Sequence, residues 1–526
     1  MPDTSSQLRG VAIRGAAVVL IAQSCTYLVQ LAGVTVLARM LMPADFGLIT
    51  VVTTFSIFLA SIGQIGFPEA ILQRENLNHQ VTSNLFWINL GISAVLTLAF
   101  AGCGAILARV YADPRITHIT EFAALSIFFT ATSVIHSALL DRGMRFMASS
   151  SITILSRLMS VIVSIILAFA GKGYWALAAG VVAQPIVQTI CAWTFCRWIP
   201  SLPRRADGTK AMLAFATHVN GVGNLNYWTR NMDNLLVGWR FGPGALGFYK
   251  KSYDLFVLPT NQLLSAFPVG VSTLSRLVQD PPRYRRYFLN GISALALVGM
   301  CAAGVLTFIG RDIVRLVLGP AWGLSGWIFV VFAPGIGILL IYKATMMIHL
   351  SIGTSARLLR WTVVELVVTG LLFLIGLHWG PIGVAAAWTT SCCVLLIPGF
   401  QYAGKPIQFK SSSLIQAIWR FPAASLLAAG MCALLIHQIP SIAAMPDWKG
   451  ALVRVVVYSS IFTAFYLCSI FIVHGGWQPI REFASVLQDM IASRKSRSQA
   501  SEEAKTVELE MQSKEKLQTR STSLGG

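Results

Sequence analysis

SITILSRLMSVIVSIILAFA, residues 151–170, is a run of twenty residues with a single charge, Arg157. As an α-helix it is about 30 Å long, the thickness of the hydrocarbon core of a bilayer. Comparable runs recur along most of the chain. Of its 526 residues 55% are hydrophobic and only 12% charged, against roughly 25% charged in an ordinary soluble domain. Apolar surface on that scale cannot be hidden from water, so the solvent of this chain is lipid.

Working outward from 151–170, apolar runs between charged or Pro/Gly-rich breaks predict spans at 15–38, 46–65, 84–108, 118–140, 151–170, 174–196, 211–238, 245–273, 288–310, 325–349, 359–378, 382–402, 413–437 and 451–474. The expected fold class is therefore an all-α integral membrane protein of about 14 transmembrane helices. The seventh and eighth spans are the least apolar. No cleavable signal peptide is evident: Met1 to Gly10 is polar and the first apolar run is long.

The formal charge of +19 suggests nucleic acid at first sight, but the 40 Lys and Arg lie mostly in short segments between apolar runs. They act there as topology signals. With a cytoplasmic N-terminus, the inner segments before the tail hold seventeen Lys and Arg and the outer ones nine, which predicts both termini inside, an inner-membrane multi-pass chain and no nucleic-acid partner. The nine cysteines all fall in apolar stretches, where a thiol packs as a small hydrophobe. No metal or cofactor is expected. The loops are short, and after Trp477 the composition turns to Ser, Lys, Glu and Gln, as in a polar cytoplasmic tail.

At a constant offset of 200 residues Pro43 pairs with Pro243, Gly47 with Gly247, Phe67 with Phe267 and Pro68 with Pro268. A second echo aligns 175–179 with 383–387, at the starts of the sixth and twelfth spans. A shift of six spans keeps orientation, so the copies form parallel repeats about an axis along the membrane normal. The expected organisation is an N-lobe over 1–205, a C-lobe over 206–405, an accessory helix pair over 406–475 and a tail over 476–526, with two pseudo-symmetric six-helix lobes around a central cavity.

Polar groups at membrane depth face a cavity or one another. Asn220, Asn224, Tyr227, Asn231 and Asn234 follow i, i+4, i+7, i+11, i+14, one face of the seventh span. Gln23, Tyr27 and Gln30 form a shorter stripe on the first. Carboxamides and phenols suit the hydroxyls of an oligosaccharide; they also bond neighbouring helices. Arg230, Asp233, Arg240, Lys250, Lys251 and Asp254 give a local surplus of positive charge that could hold a diphosphate. Against this, Arg230 with Asp233 and Lys250 with Asp254 have the spacing of intrahelical pairs. Arg157, Lys343 and Glu365 stand at membrane depth without an evident partner. Gly242-Pro-Gly-Ala-Leu-Gly247 imitates a dinucleotide-binding pattern, but no strand precedes it and it falls between two spans, where it is a turn.

The stretches VLARMLMPADFG at 36–47, GFPEAILQR at 66–74 and RNMDNLLVGWRFGPGALGFYKKSYDLFVLP at 230–259 resemble Wzx/WzxC-type polysaccharide exporters of the multidrug/oligosaccharidyl-lipid/polysaccharide superfamily. The resemblance covers roughly 10–405. It implies two six-helix lobes in a V around a cavity open alternately to either side, and undecaprenyl-diphosphate-linked oligosaccharide as cargo for exopolysaccharide or lipopolysaccharide synthesis. A polymerase and export machinery would then be neighbours. It carries over no binding residue by motif. Two alternatives remain: an ion-coupled multidrug antiporter of the same superfamily, for which acidic residues should dominate the cavity, and a membrane polymerase or glycosyltransferase, for which Asp45, Asp113, Asp312 and Asp447 are the acidic candidates in outer loops.

Overall fold

The computed structural model describes residues 4–64, 66–73, 77–204, 209–264, 267–409 and 411–483, with side chains from Val18 onward except at 73, 209–223, 258–259, 261–263, 268–269 and 443. Among the described residues there is no strand. The α-helices are α1 (Thr4–Met40), α2 (Pro43–Gln64), α3 (Phe67–Gln73), α4 (His79–Gly102), α5 (Gly104–Val110), α6 (Arg115–Arg142), α7 (Phe146–Phe169), α8 (Tyr174–Cys196), α9 (Thr209–Leu264) and α10 (Phe267–Arg276). Then follow α11 (Pro281–Val317), α12 (Gly323–Phe332), α13 (Gly335–Ser351), α14 (Ser355–Gly376), α15 (Gly380–Gly404), α16 (Ser411–Ile418), α17 (Arg420–His437), α18 (Pro440–Ala443) and α19 (Asp447–His474).

Among the described residues ten stretches are long and apolar enough to cross a bilayer, and an eleventh if α12 and α13, bent by 52°, form one broken crossing. The sequence predicts fourteen. Two places account for the difference: α14 and α15 fall within one 53-residue stretch, Ser355–Ile407, and α9 is not among the ten.

The chain of α9 turns back on itself. Gly242 has φ +79°, a left-handed value that only glycine adopts freely. The Tyr249 hydroxyl donates to Asp233 across 2.7 Å, whereas sixteen residues of straight helix would separate them by about 24 Å. Residues 209–241 and 243–264 are thus two arms of a hairpin, lying where the seventh and eighth spans are predicted, although neither arm is among the stretches apolar enough to cross. The glycine-rich segment is the turn between them.

Two groups of helices meet at this hairpin. One joins α1, α2, α4, α6, α7 and α8; the other joins α11 to α15; α9 packs against α2 on one side and α12, α14 and α15 on the other. An aromatic core runs through the junction: Phe46 and Phe248 both meet the fully buried Trp322 edge-on, and Phe256, Phe332 and Trp388 pack together beyond.

The internal repeat appears here as a physical contact. A Cβ on Gly47 would overlap the carbonyl oxygen of Pro243, and one on Gly247 would overlap that of Pro43. Residues equivalent at the 200-residue offset clasp one another reciprocally. Pro43 begins α2, Pro243 begins the second arm of α9, and Phe67 and Phe267 begin the short helices α3 and α10. Two further ties close the same face: the Trp322 indole donates to the Ala38 carbonyl at 2.8 Å and the Arg39 guanidinium to that of Leu316 at 2.8 Å. Arg39 therefore has a protein partner on α11.

The helices α17 and α19 pack on α11, secured by Arg454, which forks onto Asp312 at 2.7 and 3.0 Å and donates to the Met445 carbonyl at 2.8 Å. The side chains of Arg454 and Asp312 are only 11% and 14% exposed. Asp312→Leu would strand the guanidinium, an expected loss of about 3 kcal/mol. The double variant Asp312→Leu/Arg454→Met should recover most of it, as measured by thermal unfolding in detergent. Equal stability of the single variant and the parent would contradict this role.

Candidate functional site

A cavity of about 470 Å³ opens among α1, α2, α6, α7, α8 and the second arm of α9. Its wall mixes apolar and polar side chains, and the polar ones fall in stripes. Arg157, Ser160 and Ser164 recur at i, i+3, i+7 on α7 and Gln184 and Gln188 at i, i+4 on α8, so each helix presents one polar stripe. On α8, Pro185 lacks the N–H that would pair with the carbonyl of Val181, and both residues line the cavity.

Among the described residues, the charged groups in the wall are Arg157, Lys250, Lys251 and Asp254. Asp254 bridges the two lysines, at 2.6 Å to Lys250 and 3.4 Å to Lys251, and the Lys251 ammonium also sits 4.6 Å above the Phe46 ring. The intrahelical pair expected for Lys250 and Asp254 thus exists and lines the cavity as well. Arg157 is half-buried, and its buried Nε has no hydrogen-bond partner.

Several hydroxyls direct their protons inward to protein. Thr50, Thr53 and Thr130 donate to the carbonyls of Phe46, Ile49 and Ser126 at 2.7–2.8 Å, and Ser160 donates to Gly180 at 2.7 Å. Their lone pairs remain as acceptors, while the side-chain amides of Gln30, Gln184 and Gln188 supply both kinds of group. The wall thus offers cations for an anionic head and mixed donors and acceptors for polyhydroxylated rings.

Of the residues predicted from sequence, Gln30, Lys250, Lys251 and Asp254 come together in this wall. On the same helix as Gln30, Gln23 is exposed and Tyr27 half-buried. The asparagine row turns largely toward protein. Asn224 accepts from Ser61 at 2.8 Å and Tyr227 donates to the Thr54 carbonyl at 2.6 Å, tying the first arm of α9 to α2. Asn231 donates to the Tyr227 carbonyl at 2.9 Å and accepts from Asn234 at 3.3 Å. The side chain of Asn220 lies outside the described residues. Asp233 is buried and takes its hydrogen bonds from Tyr249 and the Asn234 amide, with no Arg230 pair.

Arg230 instead lines a smaller cavity of about 60 Å³ among α9, α13, α14 and α15, together with Lys343 and Glu365, which approach to 3.9 Å. These two are the partners that sequence alone did not reveal. Of the histidines, His136 stacks on Trp193 at 4.4 Å and its Nε2 meets the Trp198 carbonyl, and His349 meets Thr354. His218 falls outside the described side chains.

Residues 36–325 match a family described as Polysaccharide biosynthesis protein. The chain is 21% identical over 385 residues to the succinoglycan biosynthesis transport protein ExoT of Rhizobium meliloti (strain 1021), covering 73% of this chain and 78% of that one. It is 23% identical over 295 residues to the lipopolysaccharide biosynthesis protein WzxC of Escherichia coli (strain K12), covering 55% and 59%. Among solved structures, the lipid II flippase MurJ in an inward closed conformation superposes with a TM-score of 0.68 at 14% identity, over 86% of this chain and 99% of that one. An inward-facing multidrug resistance MATE family transporter of the MOP superfamily gives 0.58 at 13% identity, over 74% and 98%. These likenesses show a common fold, and the family match spans more than half of the sequence: the chain belongs to the polysaccharide biosynthesis protein family.

Proposed function

We propose that the protein is a flippase that carries polyprenyl-diphosphate-linked oligosaccharides across the bacterial inner membrane by alternating access, with both termini in the cytoplasm. The diphosphate engages Arg157, Lys250 and Lys251, the sugars engage the amides and hydroxyls, and the polyprenyl chain stays in lipid. The single observation that carries this is a cavity whose described lining sets three cations against one carboxylate, with amides and hydroxyls interleaved among apolar side chains. The names of ExoT and WzxC, a transport protein and a lipopolysaccharide biosynthesis protein, and of MurJ, a lipid II flippase, support the same assignment. In this reading the two lobes expected from sequence are the bodies that move in the cycle, with the glycine clasp on the periplasmic side. A drug antiporter would need an anionic wall for cationic cargo, opposite to the one present.

The test is a vesicle assay with a fluorescent lipid-linked oligosaccharide. In vesicles carrying the purified protein, external dithionite should bleach the inner-leaflet probe as well as the outer; in empty vesicles the inner pool should persist. Uptake of lipophilic cations with no bleaching of that pool would favour the antiporter and refute the proposal.

A further inference from the structure

We infer that the cavity is charge-matched to a diphosphate bearing uncharged sugars, so that sugars carrying carboxylates or other acidic groups are excluded from the ring next to the diphosphate. This rests on the flippase assignment and adds the chemical class of the cargo. Among the described lining residues, three cations stand against one carboxylate, a net charge of +2. A diphosphate diester has one ionised oxygen on each phosphorus and no further proton to lose near neutral pH, hence a charge of −2. Loaded with it, the described wall is neutral. In a low-dielectric wall that balance matters, because an uncompensated charge is costly there and its repulsion is weakly screened.

A monophosphate would leave one cation unanswered. A uronic acid beside the diphosphate would leave one anion unanswered and place it near Asp254. The rest of the wall is suited to neutral rings: amides and hydroxyls pair with sugar hydroxyls but do not neutralise a carboxylate. Asp254 sets the count. By bridging Lys250 and Lys251 it cancels one charge and holds both ammonium groups in place, so discrimination against acidic sugars comes from a repulsive element built into the site.

The experiment uses the full chain in lipid nanodiscs and three short-chain probes: polyprenyl diphosphate glucose, polyprenyl diphosphate glucuronic acid and polyprenyl monophosphate glucose. The expected result is that the first binds about tenfold or more tighter than either of the others. Asp254→Asn should raise affinity for the glucuronic acid probe relative to glucose. Thr53→Lys adds a cation elsewhere in the same wall and should shift the ratio in the same direction, which keeps the test decisive if Asp254→Asn folds poorly. Equal or tighter binding of the glucuronic acid probe by the unaltered protein would overturn the inference while leaving the flippase assignment intact. Failure of every diphosphate probe to bind would overturn both.

Discussion

A valine at position 47 should stop export and leave the clasped face of the protein open. The Gly47 α-carbon lies against the Pro243 carbonyl, and that oxygen belongs to backbone, which cannot rotate away. Overpacking costs about 1–3 kcal/mol where side chains can adjust, and more where they cannot. Valine is at least as acceptable as glycine inside an isolated helix, so the substitution raises the energy of the clasped state selectively. A shift of about 2.8 kcal/mol changes the ratio of two states about 100-fold. Two measurements check this. Polymer output should vanish at normal membrane abundance. A cysteine at Thr53, in the cavity wall, should react with an impermeant thiol reagent from outside in the Gly47→Val background and not in the parent. Gly247→Val should match it, since it blocks the reciprocal half of the clasp, and the double variant should add little because both changes open the same interface. Normal export by either single variant would mean that the clasp is not part of the cycle.

The clasp also marks how much of the fold was legible beforehand. Proline and glycine at 43 and 47 and again at 243 and 247 were visible as a repeat because backbone constraints leave a direct trace in residue identity: a proline begins each helix and a glycine admits each close approach. That the two copies touch each other is a tertiary fact with no local trace. Arg39 and Trp322 illustrate the same limit, since their partners are carbonyls 277 and 284 residues away.

The site divides likewise. Lys250, Lys251 and Asp254 were legible because three charges within five residues stand out in an apolar chain. The stripes of Arg157, Ser160 and Ser164 on α7 and of Gln184 and Gln188 on α8 have helical spacing and were discoverable, but each is too short to identify the wall it helps build. The asparagine row was the louder periodic signal. In the structure Asn224 and Tyr227 use it to dock the first arm of α9 on α2. Periodicity reports that a face is polar; it does not report whether the face meets water or another helix.

Neutralising the lysine pair should abolish transport for a reason separable from misfolding. Lys250→Gln/Lys251→Gln alone would leave Asp254 without its two counter-ions, a destabilising change in its own right. The informative variant is Lys250→Gln/Lys251→Gln/Asp254→Asn, which keeps size and hydrogen-bonding capacity and reduces the cavity charge from +2 to the single charge of Arg157. Each charge-assisted hydrogen bond lost to the diphosphate is worth about 1.5–3 kcal/mol, so two together cost about 3–6 kcal/mol. At 1.4 kcal/mol per decade, binding should weaken by about 10²- to 10⁴-fold. Thermal stability should change little, because no buried charge is left unpaired. Lys250→Arg/Lys251→Arg preserves charge and should retain measurable flipping, reduced by the altered fork geometry beside Asp254. Titration of the diphosphate probe onto nanodiscs, together with dithionite bleaching in vesicles, reads binding and transport on the same preparations. Wild-type affinity in the neutral triple variant would remove the lysines from the headgroup site and leave Arg157 as its one cation among the described lining residues.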